Sequence, residues 1–178
     1  MIYDLRDKNN EKKGFSLIEA IVVVAMMGLM FVGGTVVYSN FTNRKEVDQA
    51  TSKIISQLEI ARSNAKAGIL PPGVDQNQTN VNNFRYVEVS LAGGILTVAS
   101  NHASPNVYST TDVNNVNISP SSLSSCTLCF AAGESKLVTT APAPQAYTYN
   151  VSLTISSKKV PSITRIITID SNGVVRRQ

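Results

Sequence analysis

The feature that most constrains this chain is an uncharged stretch near its start. No charged residue occurs from Ala20 to Asn43, and Ala20 to Tyr38 is almost wholly apolar. As a helix rising about 1.5 Å per residue, it is long enough to cross a hydrocarbon core about 30 Å thick. Lys12 and Lys13 precede it, with Arg6 and Lys8 further upstream, and Arg44 and Lys45 follow it. With cations on both sides, flanking charge fixes orientation only weakly. The short upstream segment is the easier one to keep in the cytoplasm, which places the C-terminal remainder outside.

Three plain readings compete for such a run. A cleaved secretory signal has a shorter apolar region followed by a small-x-small cleavage site, and no such site follows here. A buried helix of a soluble protein is disfavoured by the uncharged length. An ordinary signal anchor explains the length and the lysines but not Glu19. A carboxylate at the mouth of a membrane helix is costly and marks function by default. Its plain alternative is an acid that snorkels to the interface.

The residues around Glu19 form a motif: Lys12-Lys13-Gly14-Phe15-Ser16-Leu17-Ile18-Glu19, continuing through Ala25 and Gly28. This resembles the prepilin motif of type IV pilins and type II secretion pseudopilins, and its specificity comes from the membrane-length run that follows at once. The resemblance implies that a prepilin peptidase cuts between Gly14 and Phe15 and methylates the new Phe15 amine. The leader Met1 to Gly14 is then removed. It also carries Asp4, Asp7 and Glu11, which dilute its positive charge. Gly14 lets the backbone lie close to a peptidase. The new ammonium and the Glu19 carboxylate are each expensive in lipid alone. Glu19 lies four residues from Phe15, on the same helix face. It can pair with its own amine or, as the family resemblance implies, with that of the next subunit in a filament. Gly33-Gly34 costs about 1 kcal/mol per glycine in a helix. The pair suits either close helix packing in lipid or a point where the helix loosens.

Beyond the run, about 130 residues are enough for one modest domain with its own core. Glu46 to Ala67 reads as an amphipathic helix, with Val47, Ala50, Ile54, Leu58, Ala61 and Ala65 recurring at spacings of three or four. Gly68 and Pro71-Pro72 stop it. Gly73 to Asn83 is a polar loop. Arg85 to Leu91 and Ile95 to Ala99 alternate around Gly93-Gly94 and predict a hairpin. Ser100 to Ser125 is too long for a normal connection and reads as a surface insertion or short irregular strands. Lys136 to Thr140 is a candidate strand, and Ala141-Pro-Ala-Pro144 a linker. Tyr147 to Ile155 alternates and pairs with Ile163 to Asp170, and Ser171-Asn172-Gly173 leads to a last strand at Val174-Val175. The "L-x-x-A-R-S-x-A" pattern of the helix and the closing "I-T-I-D-S-N-G-V-V-R-R" resemble the minor pseudopilin H-like group.

Together these give an α+β chain: a long N-terminal helix, its second half packed on a C-terminal antiparallel sheet. Its expected parts are a cleaved leader over 1–14, a membrane and filament-core helix over 15–43, an amphipathic helix over 44–68 and a β-rich head over 69–178.

Other chemistry is sparse. Cys126-Thr-Leu-Cys129 admits a disulfide, unpaired thiols, a redox site or a zinc site. The disulfide is favoured in an oxidising compartment. A redox site lacks its βαβ context and a zinc site lacks ligands. His102 lies in a polar loop, and no phosphate cradle, H-E-x-x-H or G-x-S-x-G occurs, so neither an enzyme nor a cofactor is expected. Lys158, Lys159, Arg165, Arg176 and Arg177 gather into a phosphate-binding patch if the turn before Ile163 meets the C-terminus. The resemblance adds precedent for DNA binding near this end of a minor pilin. The plain alternative is a solvated set of charges, favoured by the modest net charge of +4.

The sequence thus points to a minor pilin or pseudopilin. Its expected partners are prepilin peptidase, other pilins, membrane lipid before assembly and, in the alternative role, DNA. A signal-anchored domain that never polymerises is the reading from outside this class.

Overall fold

The computed structural model describes residues 15–75, 77, 80, 83–101, 107–120, 127–134, 136–138, 148 and 150–178. The leader Met1 to Gly14, His102, Cys126, the Ala141 to Pro144 linker, Tyr147 and Tyr149 lie outside these residues. One helix, α1 (Leu17–Ala67), is followed by nine described strands: β1 (Tyr86–Ala92), β2 (Ile95–Ser100), β3 (Val107–Asp112), β4 (Val116–Pro120), β5 (Thr127–Ala131), β6 (Leu137–Val138), β7 (Val151–Ser157), β8 (Thr164–Ile169) and β9 (Val175–Arg177). The chain divides into two compact units, Met1–Asn40 and Phe41–Gln178.

In the first unit the helix is unbroken through Gly33 and Gly34. Its apolar side chains have nothing to bury against: Leu17, Leu29, Met30 and Phe31 are all more than three-quarters exposed. By length and composition this segment can cross a membrane.

In the second unit α1 buries one stripe: Val47, Ala50, Thr51, Ile54, Leu58, Ala61 and Ala65. Thr51 lies on this stripe because its hydroxyl donates to the Val47 carbonyl at 2.7 Å and arrives in the core already bonded. Gly68 closes the helix with a positive φ of 64°. Ile69 N–H reaches the Asn64 carbonyl and Gly68 N–H the Ala65 carbonyl, the paired bonds of a Schellman cap.

The strands form two antiparallel sheets, where the sequence suggested one. The five-stranded sheet has the order β3-β2-β1-β5-β6, and the four-stranded sheet the order β4-β7-β8-β9. The connection Val113 to Asn115 carries the chain from one sheet to the other between β3 and β4. Alternation sets the register. Val151, Leu153 and Ile155 of β7 face the core, and the first two pair with Ile169 and Ile167 of β8. Val89 of β1 pairs with Val98 on one side and Leu128 on the other. One continuous core joins both inner faces to the α1 stripe.

The long polar stretch holds β3 and β4, each an edge strand. The segment beside Cys129 is a strand, β5, inserted between β1 and β6. The β1–β2 turn is tight: Gly93 and Gly94 both have positive φ, as a two-residue primed hairpin requires. A Cβ on Gly94 would also lie 1.8 Å from the Asn114 side chain.

Candidate functional site

The N-terminal site is built on the start of α1. Phe15 and Ser16 precede the helix, so Phe15 does not share a helix face with Glu19 as the four-residue spacing suggested. The physical reason is a cap. Ser16 Oγ accepts the Glu19 N–H at 3.2 Å, and its carbonyl accepts the Ala20 N–H. Ser16 is thus the N-cap residue and Glu19 stands three positions on, the spacing of a capping box. The signal S-x-x-E is present in the sequence but hidden inside the longer motif. Glu19 also lies in the first turn, where a carboxylate opposes the positive end of the helix dipole. Phe15 itself is 82% exposed. Gly14 lies outside the described residues, so only one side of the expected cleavage bond is in view.

The basic residues at the other end of the chain are divided by the sheet they sit on. Arg165 continues the inward row of β8 opposite Ile155, and Arg177 continues that of β9 opposite Ile167. Both reach Asp48 of α1. Arg165 Nε donates to Asp48 Oδ1 at 2.8 Å, and Arg177 Nη2 donates to the same oxygen. Lys159 Nζ lies 3.3 Å from Glu46 Oε1. Arg176 points the other way, paired in register with Thr168, and Lys158 is exposed in the β7–β8 turn. So three of the five cations meet on two carboxylates of α1, an arrangement missed because the partners are more than a hundred residues apart. Desolvation pushes the Asp48 carboxyl up, but the hydrogen bonds and charges of Arg165 and Arg177 outweigh it and hold it below the ordinary carboxylate value.

Cys129 is a free, buried thiol on β5, opposite Glu88 of β1 and Val138 of β6. Burial, reinforced by the Glu88 charge, pushes it up to about 12, so it is neutral and a poor nucleophile. Its expected partner Cys126 is not among the described residues. No group of three or more metal-ligating side chains occurs among the described residues.

Residues 9–35 match the family model "Prokaryotic N-terminal methylation motif". A search of curated proteins finds no match. Two crystal structures of the type IV minor pilin FimU of Pseudomonas aeruginosa (strain PAO1) resemble the chain. One, at 17% identity and a TM-score of 0.51, aligns over 78% of this chain and 92% of its own. The other, at 15% identity, gives 0.48 over 74% and 91%. The first match shows a shared fold. The chain thus carries the N-terminal methylation motif at the head of α1 and shares its helix-on-sheet fold with a type IV minor pilin.

Proposed function

We propose that the chain is a structural subunit, a minor pilin or pseudopilin, of a pilus-like filament. The observation that carries the proposal is the methylation motif at the head of a helix whose first-unit apolar side chains are exposed on every face. Such a surface is unstable in water and needs lipid or other helices around it. Before assembly the helix lies in the cytoplasmic membrane with the head outside. Prepilin peptidase cuts at Gly14–Phe15 and methylates Phe15. After assembly the same apolar surface packs against neighbouring pilins, and Glu19 meets the Phe15 amine of the next subunit.

The Ser16 cap supports an intermolecular pairing. It keeps Phe15 off the helix proper, where the four-residue relation to its own Glu19 is lost. The experiment is Glu19→Ala in cells with an active peptidase. Processing should persist and filament assembly should fail. Assembly at the wild-type level would contradict the role given to Glu19, and a wild-type chain that never enters filaments would favour a plain signal anchor. The Cys126–Cys129 disulfide expected in an oxidising compartment finds no support here, because Cys129 is a free, buried thiol. The alternative role, DNA binding by the basic end, has narrower support. Lys159, Arg165 and Arg177 are already engaged by Glu46 and Asp48, which favours a structural role for them.

A further inference from the structure

We propose that β9 is a detachable strap on the four-stranded sheet, and that the Arg177–Asp48 ion pair is its fastening.

Beyond a short backbone ladder to β8, extended by the Gln178 N–H to Ile166 carbonyl bond, that pair is what ties β9 down. β9 is three residues long, lies at the sheet edge and pairs with β8 alone. Arg176 and Arg177 are exposed and Val175 is only half-buried, so little apolar burial holds it. The neighbour it covers is the opposite case. β8 is paired on both sides, and its Ile167 and Ile169 are fully buried. Cooperative units open first where apolar burial is least.

The contacts with α1 are separable, which makes partial opening possible. Asp48 takes Arg165 from β8 and Arg177 from β9 on the same carboxylate. If Arg177 lets go, the Arg165 contact remains and β8 stays docked. Lys159 and Glu46 hold the β7–β8 turn independently. The turn before β9 is set by its own bonds. Asp170 accepts the Asn172 and Val174 N–H groups on its carboxylate and the Gly173 N–H on its carbonyl. It therefore persists as the fixed end about which the strap swings. When the strap leaves, the edge of β8 loses its partner and presents unpaired N–H and C=O groups. The strap thus decides whether the sheet shows a covered or an open edge.

The test is amide hydrogen exchange on the full chain in detergent micelles. In Arg177→Gln, exchange over residues 175–178 should rise about fivefold, the effect of losing an exposed ion pair near the top of its usual range. The interior amides of β7 should not change. Asp48→Asn should give the same rise at β9 with a smaller one in β8, where Arg165 loses its partner. Glu46→Gln should leave β9 unchanged. Unaltered exchange at 175–178 in Arg177→Gln would overturn the proposal. So would a rise shared equally with β7, because β9 would then open only with its whole sheet. Arg177→Gln leaves the Arg165–Asp48 contact in place, so it carries the test if Asp48→Asn does not fold.

Discussion

Asp48 is held in its charged form by two guanidinium groups, so its titration reports on the contact between α1 and the four-stranded sheet. Its carboxyl sits below the ordinary value of 3.8. A lowered folded value means that the stabilisation is complete above the unfolded value and is lost as pH falls through the folded one. The Tm difference between wild type and Asp48→Asn should therefore be constant above about pH 5 and shrink on further acidification. A difference that stays constant down to pH 2 would contradict the pairing. A second residue, Gly94, acts by what it lacks. Its φ of +81° and the Asn114 side chain leave no room for a Cβ. Gly94→Ala should cost about 1–3 kcal/mol, read as a lowered Tm, because both backbone strain and a displaced corner follow. Neither constraint was fully legible beforehand. Gly93-Gly94 announced a turn, but nothing in the sequence said that Asn114 would pack on it. The Asp48 contact joins positions 117 and 129 residues apart, beyond the reach of any local pattern.

At the scale of elements, periodicity told most where burial is one-sided. The apolar members of the α1 stripe, Val47, Ala50, Ile54, Leu58, Ala61 and Ala65, are legible in the sequence because a helix packed on one face repeats every three or four positions, whereas the buried Thr51 is not. The β1–β2 hairpin and the β7–β8 pair were equally plain, since their inward residues alternate with polar ones. The strands left open or hidden each break that rule. β3 and β4 are edges rich in Ser, Thr and Asn, with few inward apolar residues to mark them. β5 has Leu128, Cys129 and Phe130 buried in succession, a continuous run that periodicity does not distinguish from a loop around a cysteine pair. The stripe itself is testable. Leu58 is fully buried in the shared core, and Leu58→Ala should cost about 2–5 kcal/mol, seen as a lower denaturation midpoint with an unchanged slope. A cost below about 0.5 kcal/mol, typical of surface positions, would mean that the helix does not pack as described.

At the scale of the whole molecule, one chain joins two kinds of surface. The second unit buries most of its apolar residues internally, through one core shared by α1 and both sheets. The first unit satisfies none of its own, and this explains why the sequence spoke so clearly about it. A motif followed by an uncharged run is local information, readable without knowing the fold. The division of the head into two sheets depends on pairings distant in sequence and emerged only with the strand order.

That this chain is made as a prepilin is tested by the intact mass of the protein purified from membranes containing an active prepilin peptidase. The expected mass is that of a chain beginning at Phe15 and carrying one added methyl group. A chain that retains Met1 to Gly14 under those conditions would contradict it.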